Sequence, residues 1–163
     1  MAAAKKALRF LARRVLRLKR EIAELLDDLD QLTQQACCPG FRQTYGIGTA
    51  GAATLLVTVG DHPERLRSDA AFASLCGVSP LPASSGKTNR HRLNRGGNRQ
   101  ANATLHRIVV VRLRWHEQTK AYAARRLKEG RNKAQIMSCL KRFIAREVFH
   151  TLLGRPPMRT AAA

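Results

Sequence analysis

Leu8-Arg9-Phe10-Leu11-Ala12-Arg13-Arg14-Val15-Leu16-Arg17-Leu18-Lys19-Arg20-Glu21-Ile22-Ala23-Glu24-Leu25-Leu26-Asp27-Asp28-Leu29-Asp30-Gln31-Leu32 is the stretch that decides the fold class. Leu8, Leu11, Val15, Leu18, Ile22, Leu25, Leu29 and Leu32 recur at alternating steps of three and four. That spacing is an unbroken heptad seam and predicts a coiled-coil helix from about Ala3 to Gln35. No Gly or Pro interrupts it before Pro39-Gly40, so residues 1–38 read as one coiled-coil element. Its charges are segregated. Lys5, Lys6, Arg9, Arg13, Arg14, Arg17, Lys19 and Arg20 fill the first half, and Glu21, Glu24, Asp27, Asp28 and Asp30 the second. The layout opposes the helix dipole, which prefers acids first and bases last. An antiparallel partner helix sets each half against its opposite charge, so the expectation is a homo-oligomer joined through this helix. The competing reading packs the seam on the rest of the chain and leaves the charges solvated.

Moving outward, the remaining chain also reads as helices. Phe41 to Val57 contains Tyr45-Gly46-Ile47-Gly48 followed by a run of small residues. A Gly-x-Gly turn opening a helix looks like the second half of a helix-hairpin-helix element. There Gly46 and Gly48 allow a tight turn and the first N–H groups hold a nucleic-acid phosphate. The plainer reading is a turn whose small residues let helices pack closely. Asp61 and Pro63 mark a turn, and Ser68-Asp69 caps a short helix that stops at Gly77. Further helices are expected over Asn98 to His116, Thr119 to Lys128 and Lys133 to Leu153, with Lys141, Arg142 and Arg146 exposed on the last. No repeat and no strand pair is evident. The expected fold is therefore all-α: a long amino-terminal helix, a compact helical domain over residues 39–154, and a disordered tail over 155–163.

Between the third and fourth of these helices lies Pro80-Leu81-Pro82-Ala83-Ser84-Ser85-Gly86-Lys87-Thr88-Asn89-Arg90-His91-Arg92-Leu93-Asn94-Arg95-Gly96-Gly97-Asn98-Arg99. It has no apolar period and is punctuated as loop by proline and glycine. Ser84 and Ser85 stand beside Gly86 and are followed by Lys87, Arg90, Arg92, Arg95 and Arg99. A hydroxyl next to a flexible glycine, ringed by cations, suits attack on a phosphodiester, because the cations stabilise charge at phosphorus. The same residues also suit a loop that merely holds phosphates.

The net charge of the 163-residue chain is +19. It is concentrated late: from Lys87 onward, 19 Lys and Arg face only Glu117, Glu129 and Glu147. Such a half needs a polyanionic partner, nucleic acid before an anionic membrane surface. No apolar run approaches the roughly 20 residues of a membrane span. The basic start vaguely resembles a transit peptide but lacks serine and continues into the acidic stretch, which favours a structural helix. Cys37, Cys38, Cys76 and Cys139 lack metal-ligand spacing and read as reduced thiols of a cytoplasmic protein. His106 and His116 have no carboxylate or Cys at ligand spacing, so no metal site is expected in this chain.

Taken in order, these pieces resemble the serine-type transposases of insertion sequences in the one-ten family, which act as bridge-RNA-guided recombinases. The resemblance rests on Tyr45-Gly46-Ile47-Gly48 with Ala52, Ala53, Leu55 and Leu56, then Gly60-Asp61 and Phe72-Ala73. Leu75-Cys76-Gly77-Val78-Ser79-Pro80, Ser84-Ser85-Gly86-Lys87 and Arg95-Gly96-Gly97-Asn98-Arg99 complete it. It covers residues 40–153 well and the coiled coil loosely. It implies a catalytic serine in the Ser-Gly motif that cuts DNA through a covalent phosphoserine. Carried over, the nucleophile is Ser85, with Ser84 as the alternative. DNA and a bridge RNA are the implied partners, in a nucleoid-associated bacterial protein. Family members also carry an amino-terminal RuvC-like domain whose acidic set binds Mg²⁺. This chain has no strand-rich segment of that kind, and its acids from Glu21 to Asp30 are spread along a helix. Mg²⁺ is thus expected only with that other domain. The expectation is a truncated transposase that is inactive alone.

Two other functions compete. One is a non-catalytic basic module that binds nucleic acid and dimerises through its helix. The other is an RNA- or ribosome-associated basic protein.

Overall fold

The computed structural model describes residues 2–38, 40–61, 63–84, 91–94 and 96–154. The expectations for Ser85, Gly86, Lys87, Arg90 and Arg95, and for the tail over 155–163, lie outside the described residues. The fold is all-α in class, with six helices and one small strand pair among the described residues. The chain divides into two compact units, Met1–Ala36 and Cys37–Ala163.

The first unit is one helix, α1 (Ala2–Ala36). At about 1.5 Å per residue it runs for roughly 50 Å. Leu8, Leu11, Val15, Leu18, Ile22, Leu25 and Leu32 are all exposed along it. Phe10, Leu16 and Leu26 widen the exposed apolar surface beyond the heptad seam. An Arg17–Glu21 pair at 2.8 Å joins the basic and acidic halves one turn apart.

The second unit contains α2 (Thr49–Val59), a 3₁₀ turn (Pro63–Arg65), α3 (Asp69–Leu75), β1 (Pro80–Pro82), β2 (His91–Leu93), α4 (Arg99–Trp115), α5 (Glu117–Lys128) and α6 (Lys133–Leu152). Three of its helices, α3, α4 and α6, start where short polar side chains satisfy the first backbone N–H groups. Ser68 accepts from the Ala71 N–H at the head of α3. Asn98 accepts from Gln100 and Ala101 at the head of α4. Asn132 and Gln135 form a reciprocal capping box before α6. α4 and α6 form the centre: α4 packs on α2, α5 and α6, and α6 also packs on α3 and α5. Phe41, Leu55, Phe72, Cys76, Leu105, Val109 and Val148 are fully enclosed between them.

Three expectations need correction. First, the basic stretch is not free of strand: Pro80, Leu81 and Pro82 pair antiparallel with Leu93, Arg92 and His91. Each strand is three residues long, and β1 has two half-buried residues in a row, so no period-2 burial announces the pair, and Pro fits a short edge strand. Second, Lys141 is only 8% exposed, although charge alone placed it outside. Third, Arg146 is half-buried and paired with Asp69 at 2.6 Å. Further along α6, Phe143 is exposed and meets Tyr122 edge-on.

Candidate active site on a clasped basic hairpin

The Ser-Gly stretch connects β1 to β2, so the two strands define where it leaves and rejoins the fold. Ser84 follows two residues after Pro82 and is exposed. Arg92 is exposed on β2 opposite Leu81. Arg99 is the first residue of α4 and also exposed. A cation in a first turn opposes the positive end of the helix dipole, a cost that a bound anion would offset.

What holds the strand pair to the core is a backbone clasp below it. α3 ends in a Schellman motif: the Gly77 N–H donates to Ser74 O and the Val78 N–H to Ala73 O. Gly77 takes the left-handed conformation this requires, at φ +65°. The Asn98 N–H, at the other end of the hairpin, donates to Leu75 O at 2.7 Å. Gly97 then lies directly on Gly77. A Cβ at position 97 would stand 2.1 Å from Gly77 N and 2.3 Å from Gly77 Cα. Only two glycines permit that approach. The sequence motifs Cys76-Gly77-Val78 and Arg95-Gly96-Gly97-Asn98 are thus two halves of one contact.

Asparagines complete the clasp. Asn94 donates to Ser74 O at 3.3 Å and accepts from the Gly96 N–H. Asn102, one turn into α4, donates to Cys76 O at 3.0 Å and Gly77 O at 2.9 Å. Lys141 Nζ from α6 donates to Asn102 Oδ1 at 2.9 Å. That bond fixes the Asn102 amide so that its NH₂ faces the two carbonyls. Burial lowers the Lys141 pKa, because the ammonium has little water around it. Cys76 is the thiol within the clasp. Burial pushes its pKa up to about 12, so it stays protonated and is not a competing nucleophile. Gly77, Gly97, Asn102 and Lys141 were not among the expected site residues. The one sequence signal for them is the pairing of glycine motifs on the two sides of the loop.

The Gly-x-Gly turn serves a different part of the unit. Gly46 adopts φ +85°, and a Cβ there would press on Ile108 of α4 at 3.3 Å. Arg112, buried in α4, donates from Nε to Tyr45 O at 2.8 Å and reaches Glu147 of α6 with both terminal nitrogens, at 2.7 and 3.0 Å. Gly51 packs on Thr104. These contacts are those of close helix packing. Gly48 remains exposed at the start of α2, and the residues before it form successive turns. The structure does not bring Gly46 and Gly48 together with the hairpin arginines by any contact among the described residues.

The acids do not form a divalent-cation site. Among the described residues no three of His, Cys, Asp and Glu converge. Glu21, Glu117 and Glu147 pair with Arg17, Lys120 and Arg112, Asp69 pairs with Arg146, and Glu129 with Arg126. The residues present therefore do not fit a Mg²⁺ pair. No helix among the described residues is long and apolar enough to cross a membrane.

No curated protein matches the chain. A family model described as the transposase IS116/IS110/IS902 family matches residues 39–124. The matched segment takes in the Gly-x-Gly turn, both strands, both glycines of the clasp and all of α4. It ends within α5, before Lys141 and Glu147. The match supports a transposase or recombinase role with DNA as partner, and the chain belongs to the IS116/IS110/IS902 transposase family.

Proposed function

We propose that the second unit is the serine domain of a DNA recombinase and that Ser85 is its nucleophile. The Ser85 oxygen bonds to phosphorus as its proton leaves to solvent. The bond from phosphorus to one sugar oxygen breaks, and that oxygen takes up a proton. The product is a phosphoserine ester with a free sugar hydroxyl. Attack by the hydroxyl of a second strand reverses the step, joins the new strand and restores the serine. Lys87, Arg90, Arg92, Arg95 and Arg99 hold the phosphates and stabilise the developing charge. Ser84 is the alternative nucleophile. The observation that carries this reading is the Gly77–Gly97 clasp, which fixes both ends of a basic Ser-Gly segment to the core inside the family-matched region. A loop that only carried charge has no need of so close a backbone contact. A bridge RNA is the second proposed partner, self-association through α1 the proposed assembly, and the bacterial cytoplasm, at the nucleoid, the proposed location.

The test is a denaturing gel with labelled DNA, for the wild type, Ser85→Ala and Ser84→Ala. A covalent band that Ser85→Ala alone removes is the expected result. A band lost only with Ser84→Ala moves the nucleophile by one residue. Because no acids converge among the described residues, the assay includes an acidic domain from a full-length relative. A band that needs this addition identifies a composite site, with this chain inactive alone. The lack of converging acids among the described residues also favours a second reading, a basic module that binds nucleic acid without chemistry. Binding retained with no band under either condition establishes that reading.

A further inference from the structure

The solvent face of α4 has a pattern that strand chemistry does not use. Arg99, Ala103, Arg107, Val111 and Trp115 are spaced by four and form a ridge that winds about 160° around the helix, ending at Trp115, the last residue of α4. His106, Val110 and Arg114 form the adjoining ridge. All eight are exposed, and Trp115 is 70% exposed. The inner positions Ala101, Leu105, Ile108, Val109 and Arg112 are buried. The ridge positions from Arg99 to Val111 therefore owe nothing to the core, and Trp115 stands free of it where α4 ends. α4 contains no acidic residue.

We propose that this winding ridge is a track for a single nucleic-acid strand, on which Trp115 stacks an unpaired base. The polymer's class follows from charge: arginines on both ridges, no acid on the helix and a chain at +19. The need for an unpaired base follows from the far end. A large aromatic ring left in water is costly unless a flat apolar partner covers it, and a nucleobase offers such a face whatever its sequence. A duplex keeps its own bases stacked and does not present one. Helix polarity orders the two contacts. The amino end, with Arg99, favours phosphate, whereas the carboxyl end carries the negative pole and disfavours it. An aromatic contact suits that end better than another phosphate contact.

Local geometry supports the assignment. The Arg107 side chain lies along its ridge, with Nε on Ala103 O at 3.4 Å and Nη2 on Thr104 Oγ1 at 3.2 Å. Its direction is set before any ligand arrives. Next to Trp115, the His116 ring packs tilted against Tyr45, with centroids 5.1 Å apart, and Tyr45 is itself exposed. The neighbouring acid, Glu117, is paired with Lys120 at 2.7 Å. From Arg99 to Trp115 the track is about 24 Å long. It begins at Arg99, directly after Asn98, whose N–H is bonded to Leu75 O.

Trp115 is the only tryptophan of the chain, so its fluorescence reports on this site alone. The experiment titrates full-length protein with dye-labelled oligothymidylate, oligouridylate and a blunt DNA duplex. Anisotropy reads binding and tryptophan emission reads stacking. Single strands should quench Trp115 in step with the rise in anisotropy, and the duplex should bind without quenching. A stronger response to either single strand identifies DNA or RNA as the source. Trp115→Ala should weaken single-strand binding by about tenfold, and Trp115→Phe should restore most of it. Arg107→Gln with Arg114→Gln should lower the salt slope of log K by about two. Circular dichroism confirms that these exposed substitutions leave the helices intact.

Single-strand binding with unchanged emission and an unchanged Trp115→Ala affinity overturns the proposal. So does a Trp115 signal that follows protein concentration without nucleic acid, since a second copy then covers the ring. Absence of single-strand binding overturns it as well. Ser85→Ala should leave both readouts unchanged. Loss of the covalent band with quenching retained therefore sinks only the serine chemistry.

Discussion

A methyl group at position 97 has no space. Built on the observed backbone, it would overlap Gly77 N and Cα, and no flexible side chain is there to yield. Gly97→Ala should therefore push the two backbones apart and lose the Asn98–Leu75 bond with them. The expected cost is about 3 kcal/mol in a denaturant titration. Gly96→Ala is the control. A Cβ there meets Asn94 Oδ1 at an ordinary 3.5 Å, so the change should stay within about 1 kcal/mol. If Gly97→Ala is as mild as the control, the clasp does not hold the hairpin. Asp69 supplies a second test at this scale. The hydrogen bond from Arg146 holds its carboxyl below the usual carboxylate range, against a smaller opposing effect of burial. The folded pKa is thus lower than the value of about 3.9 in an unfolded chain. The carboxylate's contribution is complete above that unfolded value and disappears as pH falls through the folded one. Both side chains are about one-third exposed, so it is worth at most about 1 kcal/mol. The stability gap between wild type and Asp69→Asn, followed by urea titration, should be present at pH 6 and close below the folded pKa. A gap that persists unchanged into that acid range would assign the effect to packing rather than charge.

Among elements, the decisive tie is between the Tyr45 turn, α4 and α6, and one side chain makes it. Arg112 bonds Tyr45 O and both oxygens of Glu147 from a position only 7% exposed. Lysine cannot reproduce a fork of three bonds from one planar group. Arg112→Lys should cost about 2 kcal/mol. Glu147→Gln should cost less, because Glu147 reaches solvent and the amide oxygen still accepts one bond. Thermal unfolding of the two variants checks the order, and equal losses would mean that the Tyr45 bond contributes little. The helices themselves were legible because their signals are local: Ser68 before α3, the apolar periods of α4 and α6, and glycines after them. Arg112 falls on the buried side of α4, but its partners lie 67 and 35 residues away and leave no local mark in the sequence. The strand pair was hidden because backbone contact between two glycines holds it, and a side-chain pattern cannot show that. Lys141 was misplaced for a related reason. Charge predicts exposure unless a buried acceptor, here Asn102, is known in advance.

At the scale of the whole molecule, the open question is what covers α1. Its seam residues are each more than a third exposed, apart from Leu29. Burying one such side chain contributes about 1.5–3 kcal/mol, so a seam of this length far exceeds what a stable pairing requires. The proposed cover is the same helix of a second copy, and the charge layout selects its direction. In a parallel pair, the eight cations from Lys5 to Arg20 face eight others, and acids face acids. In an antiparallel pair each cationic half meets an acidic half. Salt screens both arrangements, with opposite signs. An antiparallel dimer should therefore weaken between about 0.05 and 0.5 M salt, whereas a parallel one should tighten. Light scattering over that range, at matched protein concentration, reads the difference. Leu18→Glu with Leu25→Glu places two charges in the seam and should give monomers at every salt concentration. A wild type that is monomeric throughout would remove self-association from the proposal and leave the seam for a different partner. Nucleic-acid affinity should fall with salt as well, through counterion release. The double seam variant separates the two effects, because its binding retains the per-molecule salt slope while its mass no longer changes.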